Sequence, residues 1–360
     1  MTNFSKKPDL SVIVPVVNEA GLIQELLFNL ADQQGVVMEV IVSDGGSTDD
    51  TLERVDAAAQ ACSFPVMVVR GDRGRGRQLN AAAAVCKGEF VLFLHADSLF
   101  ADRFALRKAL DALAAAMQAF GHERVAGHFA LRFQEDGKIP MQSFYFNECK
   151  ARLDRRECTH GDQGFLLHRS FFAAAGPFAE TLPMFEDTRL AEVVRKVGKW
   201  ILLPAEIFTS ARRFETEGFA ERQMLNAIMM ALAVIGREDF LLEMPYIYTC
   251  QDSAKRLRLL PFINRIREMI KALALRQRLA FWFSVGSYVL DNAWQLAFGM
   301  DVRSSCRCGI SAGKCATLCL ERFDRYLKPL IDHPPGRAVT AALVWIWFRL
   351  LCISRCIVER

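Results

Sequence analysis

The 360-residue chain lacks a strong charge of either sign: 45 Lys and Arg stand against 41 Asp and Glu, a formal net charge of +4. So small a bias leaves no electrostatic footprint for nucleic acid, which is not an expected partner. Residues 1–9 are polar and lack an apolar h-region, so no secretory signal is expected. No 20–50-residue self-similarity runs through the chain, which excludes solenoids and propellers. Neither a Walker A run nor G-x-G-x-x-G is present, which disfavours a P-loop and a dinucleotide Rossmann site. The 11 Cys are odd in number and scattered, unlike a disulfide framework, and a reducing, cytoplasmic setting is expected. Cys306, Cys308, Cys315 and Cys319 form the one dense run; zinc is conceivable there, and free thiols are the plainer expectation.

What the chain does have is apolar content: 52% apolar residues beside 24% charged ones are enough for a substantial core and exclude wholesale disorder. The near-neutral average hides a split. Residues 236–360 hold 19 basic and 11 acidic side chains, net +8, leaving net −4 for the first 235. Two regions with different partners are implied, a catalytic-sized 1–217 and a helical, basic 218–360.

Short β-branched-rich runs at 10–16 and 38–42, and two further strand patterns at 65–69 and 90–94, alternate with helical patterns at 20–32, 49–61 and 78–86. This order predicts an α/β fold with a mostly parallel, doubly wound sheet. Further strands are expected at 125–133, 164–168 and 199–209, and a helix at 185–197. Ligands of such sheets sit at the carboxyl ends of the strands, so the residues there carry the chemical interest.

Three strand ends stand out. Pro15, Val16, Asn18 and Glu19 follow the first strand; Asp44, Gly45 and Ser47 follow the second. Their plain reading is two strand-to-helix turns, with Asn18 or Ser47 capping a helix. Together they set Glu19 and Asp44 side by side, where carboxylates can accept hydrogen bonds from a base or ribose. His95, Ala96 and Asp97 end the fourth strand and put an imidazole and a carboxylate on one face, a pattern suited to a divalent metal and a diphosphate. Upstream, the loop from Arg70 to Arg77 spaces guanidinium groups with glycines, as phosphate oxygens require. Arg77, beside the expected helix start, is the favoured contact; Arg73 and Arg75 fit a solvated basic loop equally well.

In this order these blocks, with Phe185-Glu186-Asp187 and Leu190, resemble the family 2 glycosyltransferases of GT-A fold over roughly residues 8–215. Within that family the chain looks most like a small bacterial branch with a His-Ala-Asp triplet, here His95–Asp97, a Gly-Asp-Gln-Gly block at 161–164 and a Ser-Ala-Arg-Arg block at 210–213. The resemblance implies an inverting transfer of one sugar from a nucleotide-activated donor, commonly a UDP-sugar, to an acceptor hydroxyl. It implies that Pro15, Val16 and Glu19 line the nucleotide pocket, that Asp44 contacts the base, and that Asp97, with His95, binds a divalent cation (Mg²⁺ or Mn²⁺). Asp187 would be the general base, with Gly161, Asp162, Gln163 and Glu186 near the acceptor or donor sugar. His95 stands where the family has Asp, a softer and uncharged ligand. The processive synthases' Gln-x-x-Arg-Trp signature is missing, so a single transfer is expected.

Two other readings are open to the sequence. A sugar nucleotidyltransferase would carry a glycine-rich basic N-terminal loop, where this chain has Pro15–Glu19. A non-catalytic nucleotide-binding module recruited to a membrane has only His95 in its favour. The basic segment 254–278 reads as an amphipathic helix or a helix pair broken near Pro261, and the apolar 338–358 is long enough to span a bilayer but carries Arg349. A peripheral site on an anionic inner membrane face, with a lipid-linked acceptor, is the expectation these two segments raise.

Overall fold

The computed structural model describes residues 7–134, 139–140, 142–249 and 256–359. The chain packs as two compact units: 7–134 with 150–210, and 139–149 with 211–359. The division falls at Ser210/Ala211 instead of after 217, and the 139–149 segment joins the second unit.

The first unit is built on seven strands: β1 (Leu10–Val16), β2 (Met38–Asp44), β3 (Val66–Arg70), β4 (Phe90–Phe93), β5 (Val125–Phe133), β6 (Phe165–His168) and β7 (Lys199–Thr209). They lie in the order β3-β2-β1-β4-β6-β5-β7. β1, β2, β3 and β4 pair in parallel, as do β5 and β7, while β6 runs antiparallel to both of its neighbours. The sheet is therefore mixed but mostly parallel. The helices of this unit are α1 (Ile23–Ala31), α2 (Thr51–Ala59), α3 (Arg75–Val85) and α4 (Ala105–Phe120), then α6 (Arg169–Ala175) and α7 (Glu186–Val197) after a helix α5 (Gln142–Lys150).

Side chains alternate along each strand, so one sheet face gathers Ile13, Ile41, Val91, Phe93, Ala126 and Phe165. These pack against Leu79 and Ala82 of α3 and Leu190 and Val194 of α7 in one fully buried cluster. That packing fixes α3 and α7 beside each other, which matters for the site. Gly127 is required for the fit of β5 on β7, since a Cβ there would stand 2.5 Å from a Leu203 methyl group.

The second unit is helical: α8 (Arg212–Glu217), α9 (Phe219–Val234), α10 (Glu238–Thr249), α11 (Leu260–Ala272), α12 (Leu275–Asp291), α13 (Trp294–Arg307), α14 (Leu318–Arg322), α15 (Lys328–Ile331) and α16 (Pro334–Val358). Residues 254 and 255 of the expected basic segment lie outside the described residues. Pro261 does not break a helix; it sits in the first turn of α11, where its missing N–H costs nothing. The interruption instead falls at Leu273–Ala274, between α11 and α12. Gly286 lets α12 approach α16, because a Cβ there would meet the Ala341 backbone at 2.5 Å. At the far end of α16, Glu359 accepts the N–H groups of Leu259 and Leu260 (3.2 and 3.0 Å) at the start of α11. Burial on α16 is confined to a narrow stripe of Ala341, Phe348, Leu351 and Cys352. Among the described residues it is the one helix long and apolar enough to cross a membrane.

Candidate active site

The carboxyl ends of β1 and β2 are cross-linked. Register pairs Pro15 with Ser43 and Val16 with Asp44. Gln78, almost fully buried on α3, donates from its Nε2 to the carbonyls of Val16 (2.9 Å) and Ser43 (2.7 Å). Gly45 lies against this amide, and a Cβ there would meet Gln78 and Val17 at 2.8 Å. The loops are tied by side chains as well: Asn18 N–H donates to Ser47 Oγ (3.0 Å), and Asn18 Oδ1 accepts from Thr48 N–H (2.8 Å). Neither Asn18 nor Ser47 caps a helix, contrary to the plain reading of the sequence; each braces the opposite loop. Asn18 holds φ 56°, a left-handed conformation asparagine tolerates. Asp44, buried, accepts the Ser47 N–H at 2.9 Å. Glu19 is half-buried, its N–H held by Thr51 Oγ1 (2.9 Å).

At the end of β4, Ala96 is buried and His95 and Asp97 are half-buried. Asp97 Oδ2 accepts from Thr209 Oγ1 (3.1 Å) and Ser210 N–H (3.3 Å), which joins this end to that of β7. No group of three or more His, Cys, Asp or Glu side chains able to hold a metal occurs among the described residues. The Cys306, Cys308, Cys315 and Cys319 run therefore does not gather into such a site; all four are free cysteines. The oxygen-bearing Asp97 fits a magnesium-type ion, which commonly takes one or two carboxylates and completes its shell with substrate phosphates and water.

α7 brings the second half. Asp187 Oδ2 accepts the Gly161 N–H at 2.7 Å, and its Oδ1 accepts the Thr188 N–H at 2.8 Å. The residue before the pair, Phe185, sits at φ 65°, which for a bulky side chain is strained. Among the described residues, Asn18 and Phe185 are the two non-glycine residues at positive φ, and both border this site.

Arg75, the first residue of α3, links the two halves. Its Nε pairs with Glu186 Oε1, its Nη2 lies 3.8 Å from Asp187 Oδ1, and its Nη1 lies 3.5 Å from His95 Nε2. Arg77, the favoured arginine from the sequence, is instead exposed, its stem lying beside Gly74. Successive helical residues are 100° apart, so residues 75 and 77 face opposite sides of α3.

The carboxylates differ in environment. Burial pushes the Asp187 carboxyl up, but Arg75, His160 and the two N–H donors outweigh it and hold the group below its ordinary value. Burial raises Glu186 against the pull of Arg75. Asp162 is pushed up to about 7 by burial and by the charges of Asp187 and Asp97, with Arg75 opposing. Two shielded oxygens, Glu186 Oε2 and Asp162 Oδ1, have no hydrogen-bond partner among the described residues. Gln163 is committed to its own loop: its amide donates to the Ala151 and Cys158 carbonyls (3.1 and 2.9 Å) and accepts from His160 N–H. Adjacent carboxyl groups driven apart in acidity are the pattern from which acid and base roles are drawn.

Residues 11–178 match the family model described as glycosyl transferase family 2. An uncharacterized glycosyltransferase of Haemophilus influenzae is 38% identical over 93 residues, covering 25% of this chain and 30% of the relative. A PGL/p-HBAD biosynthesis glycosyltransferase of Mycobacterium bovis is 28% identical over 180 residues, covering 48% and 63%. The chain thus spans less than two thirds of the length of these curated relatives. Among solved structures, the mannosyltransferase PcManGT from Pyrobaculum calidifontis in complex with GDP-Man and Mn²⁺ has a TM-score of 0.47 at 18% identity, covering 95% of this chain and 88% of that one. A Staphylococcus aureus TarS fragment in complex with UDP has a TM-score of 0.46 at 20% identity, covering 88% and 91%.

Proposed function

We propose that this family 2 glycosyltransferase region moves one sugar from a nucleotide-activated donor, a UDP-sugar, to an acceptor hydroxyl with inversion at the anomeric carbon. The observation that supports the reading is Asp187, held by two N–H donors, on the same unit as the cross-linked carboxyl ends of β1 and β2. Pro15, Val16, Glu19 and Asp44 border the nucleotide end, and Asp44 would accept from the base. Asp187 takes the acceptor proton as the hydroxyl attacks, a step that contributes ~10²–10⁴-fold. Glu186 and Asp162, each with an unpaired oxygen, would accept from sugar hydroxyls. A divalent cation, when bound by Asp97 with His95, would neutralise charge on the diphosphate leaving group. The test is transfer from a panel of nucleotide sugars by wild type and Asp187→Asn, with and without EDTA. Full transfer by Asp187→Asn removes the base assignment, and transfer unaffected by EDTA removes the cation.

The second unit supports a membrane-facing setting on the cytoplasmic side. Outside its buried stripe α16 presents Leu343, Leu350 and Ile357 at 60–73% exposure, with Trp345 and Trp347 also exposed. An apolar surface of this extent in water calls for a partner, and the +8 charge of residues 236–360 favours an anionic bilayer. A lipid-linked acceptor follows from that placement. Flotation with phosphatidylglycerol vesicles, and loss of binding in a Leu343→Glu, Leu350→Glu double variant, would support it; equal binding to neutral and anionic vesicles would remove the charge argument.

A further inference from the structure

We infer that Arg267 and Arg349 together bind the phosphate group of a lipid, whose chain lies along the exposed apolar face of α16. A fixed site for one headgroup goes beyond the membrane-facing reading of the second unit, on which it rests. The site lies outside the residues matched by the family model.

Helix geometry brings the two arginines together. α11 packs on α16, and Glu359, just past the end of α16, accepts the Leu259 and Leu260 N–H groups at the start of α11. The two helices therefore run in opposite directions. Eight residues on from Leu259, and eight back from Glu359, is ~12 Å along each helix, which sets Arg267 level with Leu351 and Cys352. Arg349 stands one turn before Cys352 on α16, where residues three apart are surface neighbours. The buried Cys352 thiol reports the same placement: burial pushes it up, and the charges of Arg267 and Arg349 pull it back.

These two cations are uncompensated, unlike those around them. Arg265 is paired with Glu243 (2.9 Å) and Glu268 (3.5 Å), and Arg355 with Glu221 (3.6 Å) and Glu359 (3.8 Å). Among the described residues neither Arg267 nor Arg349 has a carboxylate partner, and Arg267 Nε is shielded from solvent with no hydrogen-bond acceptor. A shielded donor left unmade costs free energy, and two like charges beside one sulfur repel. A bound anion removes both costs. A phosphate offers several oxygens to two planar forks, the charge-assisted arrangement for which guanidinium is suited.

The surroundings favour a lipid over free phosphate. The Arg349 guanidinium lies 5.9 Å from the Trp345 ring centre, and Ile346, Leu350 and Ile353 are exposed on the same helix. Inorganic phosphate would leave that apolar surface in water, whereas a phosphate carrying a chain covers it.

The test is calorimetric titration of the full chain with dihexanoylphosphatidate below its micelle concentration, inorganic phosphate, and dihexanoylglycerol. Wild type should bind the phosphatidate at least ~10-fold more tightly than either of the other two. Arg267→Gln and Arg349→Gln should each weaken it by ~10–100-fold, the loss of a hydrogen bond to a charged group. Arg265→Gln removes an equal charge that is already paired, and should stay within about two-fold, separating a site from general surface charge. Should Arg267→Gln fail to fold, the exposed Arg349 decides alone. Unchanged affinity in Arg349→Gln, an equal loss in Arg265→Gln, or inorganic phosphate or dihexanoylglycerol bound as tightly as the phosphatidate overturns the inference. The short-chain lipid is free in solution, so failure of vesicle flotation and failure of this site are read independently.

Discussion

Replacing Gly161 by Ala tests the placement of the proposed base, Asp187, directly. The Gly161 N–H donates to Asp187 Oδ2 at 2.7 Å, and a Cβ on residue 161 would stand 2.7 Å from that oxygen and 2.9 Å from Asp187 Cβ. Gly161 is not among the residues at positive φ, so alanine meets no backbone penalty and the whole perturbation falls on the carboxylate. Either the Asp187 side chain or the 161–163 turn must shift, and the hydrogen bond is lost. A bond to a charged group is worth ~1.5–3 kcal/mol, and a displacement of about 1 Å at a reacting group costs ~10²-fold in rate. Gly161→Ala should therefore lower kcat for transfer by about two orders of magnitude, by the same arithmetic. UDP affinity should stay within about two-fold, because the proposed nucleotide end lies on β1, β2 and β4. Gly21→Ala, whose Cβ would meet nothing within 4 Å, is the control and should change stability by less than ~0.5 kcal/mol. A Gly161→Ala protein with wild-type kcat, or one losing UDP affinity as steeply as rate, refutes the reasoning.

Gln78→Ala removes both donors from the Val16 and Ser43 carbonyls and should cost ~1–3 kcal/mol in urea unfolding together with nucleotide affinity; a stable protein that binds UDP normally would show the brace to be idle. Asp162 keeps its proton to about 7, against an ordinary 3.8, so between those values the unfolded chain is ionised there and the folded one is not. Fewer protons on the unfolded state means that this group makes stability fall as pH rises through that window. Asp162→Asn should flatten the fall of Tm between about pH 4 and 7 and gain most above it; parallel Tm curves would sink the assignment. Asp97→Asn keeps the size of the side chain but weakens acceptance from Thr209 and Ser210, and should lower UDP affinity more in Mg²⁺ than in EDTA; equal effects would take the cation away from Asp97.

Much of the fold is written in period and punctuation. The runs at 10–16, 125–133 and 199–209 become strands of the same bounds, because short runs rich in apolar residues and bounded by turn residues read as strands. The direction of β6 is not written there, since a four-residue apolar strand reads alike both ways. Asp187, Asp97 and Asp44 stand out as acidic residues at element ends. Arg75 does not, for the choice between it and Arg77 turns on a helix start three residues earlier than periodicity suggests, and a 200° rotation follows. Gln78 is equally hidden: a polar residue on a helix signals solvent unless two strand ends happen to leave carbonyls beneath it. Asn18 and Ser47 mislead for a related reason, as the same side chains that cap helices also brace loops.

The strand order sets an order of assembly. β1 to β4 can pair with chain no later than residue 93. β5 cannot join them on its own, because the place beside β4 belongs to β6, four residues that arrive only at Phe165. Within the sheet, β5 and β7 are joined to β1–β4 only through that one antiparallel segment. The proposed nucleotide end can thus form from chain up to residue 93, whereas the proposed base on α7 waits for chain that arrives only after β6. Slow-folding variants should accordingly concentrate at Phe165–His168, where the two halves are sewn together.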